Sequence, residues 1–151
     1  MSQSLSKLYV HLVFHVKNNE IPILPKDEPN LYAYMASIIR DRQSIPIIIN
    51  GTENHVHILF VLSKNVALSS LVEDVKKHSS RRIKTLDEHY SQFAWQGGYG
   101  AFLVSASAHD KTKKYIENQK EHHKKIAYNE EYLLFLKEYG IDYDDRYLWT
   151  D

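Results

Sequence analysis

Residues 54–62 constrain the fold of this 151-residue chain more than any other segment. Successive side chains of a β-strand point to opposite faces, so residues two apart lie on the same side, about 6.5–7 Å apart. In this segment His55 and His57 share one face. The residues of the other face are all apolar: Val56, Ile58, Phe60 and Leu62. The pattern predicts a strand with one face in the core and two imidazoles on the other, where both could bind a single metal ion.

Three further strands and two helices are predicted around this strand. Apolar alternation over 7–17 and 101–107 predicts a first and a last strand, and the β-branched run 45–50 predicts a hairpin with the histidine strand. Apolar residues recur at helical spacing over 30–42 and 67–86. Three prolines between the first strand and the first helix predict a loop in which no helix persists: Pro22, Pro25 and Pro29.

A polar third helix is predicted over 109–127, with Asp110 as its N-terminal cap. Its larger apolar side chains are few: Tyr115, Ile116 and Ile126. Because helices in proteins are stabilised mainly by packing an apolar face, a helix with so few is predicted to serve a functional or interface role. Residues 130–139 predict a short amphipathic helix, which Gly140 ends.

The predicted order of elements, β-α-β-β-α-β followed by helices, indicates an α+β fold with a ferredoxin-like or RRM-like antiparallel sheet. Two helices would cover its apolar face. The opposite face, which carries the histidine pair and by the same alternation His11 and His15, needs a cover from the third helix, a partner subunit or a nucleic acid. We predict a single domain, 1–151, made of the core sheet with two helices, the third helix, and a C-terminal helix with its tail: about 5–107, 109–127 and 128–151.

Composition excludes several classes of protein. The chain has no cysteine, which excludes disulfides and zinc–thiolate sites. Because it has no apolar run near the ~20 residues of a membrane-spanning helix and no signal-peptide pattern, we expect a cytoplasmic protein without a membrane partner. The net charge is zero, but residues 130–151 hold seven acidic and two basic residues, so the first 129 residues hold 17 basic and 12 acidic ones. That basic excess permits an anionic partner.

Tyr115 and Gln119 are four residues apart, which places them on one face of the predicted third helix. A phenol is a weak nucleophile at neutral pH, because its ordinary pKa is about 10. It can still attack a phosphodiester whose charge is neutralised by a divalent cation. The amide oxygen of Gln119 could be a third ligand beside the two imidazoles, and this donor set suits Mg²⁺ or Mn²⁺, of which Mn²⁺ tolerates imidazole better.

The combined pattern resembles the single-tyrosine HUH transposases of small bacterial insertion sequences and their repeat-associated relatives. In the HUH motif a bulky apolar residue, here Val56, stands between two histidines. A bare His-x-His pattern is common, but one followed about sixty residues later by a Tyr-Ile-x-x-Gln helix is specific. The resemblance covers most of the chain and rests on four segments: Leu12-Val13-Phe14-His15, residues 54–59, Tyr115-Ile116-Glu117-Asn118-Gln119 and Glu121-His122-His123.

This resemblance implies a DNA transposase that cleaves and rejoins single-stranded DNA, often beside a hairpin. Tyr115 would become covalently attached to the 5′ phosphate, with a divalent metal held by His55, His57 and Gln119. No ATP is needed, because the phosphotyrosine bond keeps the energy of the phosphodiester. The resemblance also implies a homodimer that could exchange the tyrosine helix. Five residues are predicted to contact DNA phosphates: Lys76, Lys77, Arg81, Arg82 and Lys114.

Other roles stay open at this point. A non-catalytic RRM-like module would bind single-stranded nucleic acid by stacking bases on exposed aromatics of the central strands, where this chain has histidines. A hydrolytic metalloenzyme acting on small molecules would need a carboxylate or another histidine to complete its site. His122 and His123 follow Gln119 by three and four residues, so one of them could approach the metal. Trp95 is expected to pack in the core.

Overall fold

The computed structural model describes residues 2–149, and in that range the strands form one four-stranded sheet. Its strands lie in the order β2-β3-β1-β4, and every neighbouring pair is antiparallel. Their bounds are Leu8–His15 for β1, Ile45–Gly51 for β2, His55–Leu62 for β3 and Gly100–Val104 for β4. The predicted α+β class and the predicted hairpin of β2 and β3 are confirmed. Residues 1, 150 and 151, at the ends of the predicted domain, lie outside the described range.

Helices cover both faces of the sheet. On one face lie α1 and α2, and on the other lie α3, α4 and α5, with α6 near the C-terminus. Their bounds are Glu28–Asp41, Leu68–Ile83, His109–Glu117, Gln119–His122, Tyr128–Glu138 and Asp145–Leu148, in chain order. None of the helices between residues 2 and 149 combines the length and the apolar character that crossing a bilayer requires.

The main core lies between the sheet and the pair α1 and α2. It takes the apolar faces of β1 and β3, and the apolar stripes of both helices, as the periodicity predicts. Trp95 joins this core as expected, and its indole Nε1 donates a hydrogen bond to the buried Ser79 Oγ at 2.9 Å. This side of the molecule is therefore a conventional sheet-and-helix core that fixes the direction of every β3 side chain.

The histidine face of the sheet is covered by the chain itself. Ile116 of α3 packs against Leu59 and Val104, which anchors this polar helix at one apolar point. α5 presents its own apolar stripe to Val13 and Phe102 of the sheet, through Tyr128, Tyr132 and Leu136. Of the three covers that the sequence leaves open, the structure therefore uses the third helix together with α5.

Several predicted boundaries are wrong for local reasons. The helix expected over 109–127 is interrupted at Asn118 (φ −95°, ψ 16°), a residue type that favours caps over helix interiors. Asp110 lies in the first turn of α3, while the N-cap position is Ala108 and has no side-chain cap. The last strand stops at Val104, before a 3₁₀ turn at Ala106–Ala108.

Two backbone positions near the helix ends follow known preferences. The prediction that no helix persists among the three prolines is wrong at Pro29. α1 begins at Glu28, so Pro29 lies in the first turn, where the N–H that proline lacks would have no intrahelical partner. Gly140 ends α5 with φ +64°, which confirms the predicted glycine stop.

We predict that Gly100→Ala destabilises the protein by about 1–3 kcal/mol, because a Cβ there would lie 2.8 Å from Tyr132 Cε1 and 3.2 Å from Phe102 Cζ. The change would push α5 away from β4. Urea denaturation should show this loss, whereas Gly98→Ala, whose Cβ would meet only Gln96 Nε2 at 3.7 Å, should change stability by less than about 0.5 kcal/mol. Equal effects of the two variants would contradict the close seating of α5 on β4.

Candidate active site

The two histidines of β3 point toward α3, α4 and α5, as the strand alternation predicts. Both side chains are fully buried, and their ring centroids lie 5.2 Å apart. β1 supports them from the neighbouring strand, where His11 Nε2 lies 2.7 Å from His57 Nδ1. Burial, together with the neighbouring His57, lowers the pKa of His55 well below its ordinary value, and burial also lowers the pKa of His57. Both shifts favour the neutral imidazole, the form that binds metals.

The contacts of His55 leave its Nε2 without a proton, so that this atom can bind a cation. Its Nδ1 lies 2.7 Å from the Asn54 side-chain oxygen, which can only accept, so Nδ1 carries the proton. The lone pair of Nε2 then faces Gln119 Oε1 at 3.1 Å. Gln119 keeps its oxygen on this side because its Nε2 donates to Glu131 Oε2 at 3.3 Å. Two acceptor atoms this close are favourable only when a cation binds to both. The contacts with Asn54 and Glu131 therefore orient His55 and Gln119 as metal ligands.

Glu131 of α5 is a functional candidate that the sequence analysis missed. Its carboxylate is buried, and Oε1 lies 2.9 Å from His57 Nε2. The other oxygen, Oε2, accepts a hydrogen bond from the Tyr115 hydroxyl and lies 3.2 Å from His122 Nε2. Burial opposes the negative charge, but contacts with His123 and His57 outweigh it and hold the pKa of Glu131 far below its ordinary value. Glu131 therefore joins the histidine pair to the tyrosine.

Four side chains here could hold a metal ion. Their ligand atoms lie within 4.8 Å of one another, and they are His55, His57, His123 and Glu131. His123 Nε2 is 3.1 Å from Glu131 Oε1, yet within residues 2–149 this buried atom has no partner in hydrogen-bond geometry. Imidazole nitrogens and a carboxylate oxygen are a normal donor set for a divalent cation. The residues present therefore fit the metal that the HUH pattern implies, and Gln119 adds its oxygen beside them.

Tyr115 lies against the same group of side chains. Its ring centroid is 5.9 Å from that of His57, and its hydroxyl contacts Glu131 and, at 3.2 Å, His122 Nε2. Burial, and then the Glu131 carboxylate, raise the pKa of Tyr115 above its ordinary value. A cavity of about 550 Å³ opens beside the phenol, with Lys111 and Phe135 also in its wall. The tyrosine and the histidine pair thus meet within one chain, and the cavity gives a substrate access to the tyrosine.

The five residues predicted to contact DNA lie on two different sides of the sheet. Four belong to α2, which packs on the face opposite Tyr115: Lys76, Lys77, Arg81 and Arg82. Of these, Lys76 Nζ donates to the Gly98 carbonyl oxygen at 2.8 Å and Arg82 Nε donates to Asn30 Oδ1 at 3.2 Å. Lys114 is exposed on α3, the helix that carries the tyrosine. Only Lys114 therefore lies on the same helix as the candidate nucleophile.

The fold is similar to two solved structures. One is a "putative transposase" from Deinococcus radiodurans, with 20% sequence identity and a TM-score of 0.61, covering 79% of this chain and 98% of that chain. The other is a REP-associated tyrosine transposase bound to a REP hairpin, with 16% identity and a TM-score of 0.60, covering 82% of this chain and 74% of that chain. At such identities the likeness shows the fold.

Sequence comparison identifies the family. Among curated protein sequences none matches this chain. The model of the family described as "Transposase IS200 like" matches residues 4–119, which include the histidine pair, Tyr115 and Gln119. A match over so much of the sequence establishes that this chain belongs to the IS200-like transposase family.

Proposed function

We propose that this transposase cleaves and rejoins single-stranded DNA through a covalent 5′-phosphotyrosine at Tyr115, with a divalent cation, Mg²⁺ or Mn²⁺, and without ATP. The observation that carries the proposal is the shared contact at Glu131. One oxygen of this carboxylate contacts the Tyr115 hydroxyl, and the other contacts His57 of the HUH pair. A nucleophile and a metal-binding pair therefore lie side by side, as in-line attack on a phosphodiester requires.

In the proposed reaction the Tyr115 oxygen forms a bond to phosphorus while the bond from phosphorus to the 3′ oxygen breaks. The phenol proton leaves toward Glu131, which accepts the hydrogen bond of the phenol, and a proton is passed back through water to the departing 3′ oxygen, which becomes a hydroxyl. A cation held by His55, His57 and Gln119 would neutralise charge on the non-bridging oxygens. Attack by another 3′ hydroxyl on the phosphotyrosine reverses the step and joins the new strands.

We propose a hairpin-containing DNA as the substrate. The solved REP-associated relative is bound to a REP hairpin, and this chain shares its fold. The basic residues of α2 would contact duplex phosphates away from the cleavage site, because α2 lies on the far face of the sheet. Lys114 would contact phosphates of the unpaired strand near Tyr115. Each such contact adds affinity that weakens as salt rises.

The two competing functions fare differently. Stacking bases on an RRM-like sheet requires an open face, but α3, α4 and α5 cover this one and His11 is only 2% exposed. The small-molecule hydrolase keeps one specific observation in its favour, because Glu131 and His123 supply the carboxylate and the extra histidine that such a site needs. Formation of a covalent tyrosine adduct separates the transposase from the hydrolase.

We predict that Tyr115→Phe abolishes the covalent protein–DNA adduct and leaves hairpin binding within about twofold, since only the nucleophilic oxygen is removed. The measurement is a denaturing gel of protein mixed with labelled single-stranded DNA and Mn²⁺, paired with a binding titration. Tyr143→Phe, an exposed tyrosine on the C-terminal side of α5, is the matched control and should form adduct normally. Adduct formation by Tyr115→Phe would refute the nucleophile assignment.

We also predict that the site acts within one chain. The homodimer with an exchanged tyrosine helix, implied by the resemblance, stays a prediction, but α3 here packs on its own β2 and β3 through Ile116. A mixture of Tyr115→Phe and His57→Gln proteins should therefore form no adduct, because neither chain holds both groups. Recovery of adduct in the mixture would show instead that the tyrosine helix crosses between subunits.

A further inference from the structure

Two residues outside the family-matched stretch 4–119 lie within the group of possible metal ligands. We propose that His123 and Glu131 bind the metal directly, together with His55 and His57, and that the resulting centre prefers Mn²⁺ or Zn²⁺ to Mg²⁺. This inference rests on the metal site of the proposed function. It extends that site to a residue that follows α4 and a residue on α5, which the histidine motif does not include.

His123 has the position and the free atom that a ligand needs. Its ring centroid is 4.3 Å from that of His55, so the two imidazoles form neighbouring walls of one small space. Its Nε2 is buried and has no hydrogen-bond partner among residues 2–149. Burying an unpaired ring nitrogen is unfavourable, and metal coordination is one way to satisfy it. Glu131 Oε1, 3.1 Å away, lies outside hydrogen-bond geometry for this atom and is itself a possible ligand of the same ion.

Glu131 brings negative charge to the same space. Its Oε1 faces three imidazoles, at 2.9 Å from His57 Nε2, 3.1 Å from His123 Nε2 and 3.6 Å from His55 Nε2. All the ion-pair contacts of this carboxylate in the described chain are with histidines. A divalent cation bound among these donor atoms would balance the negative charge of the carboxylate.

The donor atoms determine which cation fits. Mg²⁺ prefers oxygen ligands and retains several waters, so three imidazole nitrogens suit it poorly. Imidazole suits zinc and other first-row transition metals, and the carboxylate also suits Mn²⁺. The ligand set therefore predicts tighter binding of Mn²⁺ and Zn²⁺ than of Mg²⁺.

The first experiment measures metal binding by the full chain without DNA. Isothermal titration with MnCl₂, ZnCl₂ and MgCl₂ should give the tightest binding for the first two, and Glu131→Gln and His123→Gln should each weaken Mn²⁺ binding about tenfold or more. Glu130→Gln alters the exposed neighbour on α5, and His89→Gln alters a histidine that contacts the Pro22 carbonyl oxygen and is not among the possible ligands, so both controls should bind normally. Thermal melting in EDTA checks that each variant is folded.

The second experiment identifies the ligands directly. Pulsed EPR of the Mn²⁺-loaded protein should show nitrogen couplings from three imidazoles in the natural chain and from two in His123→Gln. Unchanged Mn²⁺ affinity in both variants, or two imidazoles in the natural chain, would overturn this inference even where the Tyr115 adduct forms normally. Three imidazoles in a chain that forms no adduct would sustain the inference and refute the proposed function instead.

Discussion

A single buried carboxylate, that of Glu131, determines how the histidine face of the sheet is organised. It contacts side chains from three separate segments: His57 from β3, Tyr115 from α3 and His123 beyond α4. Burying an ionised carboxylate costs several kcal/mol unless partners replace its lost water. α5 therefore docks with both its apolar stripe and this carboxylate in place, and the carboxylate ties His57, Tyr115 and His123 together.

The polar cluster is tolerated because the opposite face of the sheet is strongly apolar. The β3 residues of the opposite face, Val56, Ile58 and Phe60, pack against α1 and α2, in a core that contains neither histidine of the pair. Strand alternation alone then turns both imidazoles to the other face. On the histidine face the buried apolar residues form two smaller clusters. Ile116 packs α3 on the sheet, and Tyr128, Tyr132 and Leu136 pack α5 on it. The stability of the fold therefore comes mainly from the core under α1 and α2, and the histidine face can hold the polar side chains of the candidate site.

Site residues that follow strand alternation or helical spacing could be predicted from the sequence. Those brought to the site by the packing of distant segments could not. The alternation of β3 indicated His55 and His57. Helical spacing indicated Tyr115 and Gln119, which both contact Glu131 although the predicted helix breaks between them. Glu131 was missed because residues 130–151 hold seven acidic residues and an acidic side chain on a short helix is usually solvated. A signal was present, since Glu131 lies three residues after Tyr128 and four before Phe135, on the apolar stripe of α5. The break at Asn118, which separates α3 from α4, had no comparable pattern.

The family-matched stretch does not contain the whole site. It ends at Gln119, yet the side chains that close the cluster, His123 and Glu131, follow it in the chain. Because Glu131 contacts the candidate nucleophile Tyr115 with one oxygen and the imidazoles with the other, a metal ion bound among the imidazoles would act on the Tyr115 hydroxyl through one carboxylate. The helix that carries Glu131 is seated where β4 has Gly100, and a side chain at that position would displace it. Residues beyond the motif therefore help to position it, and α5 contributes to the candidate site together with the histidine strand.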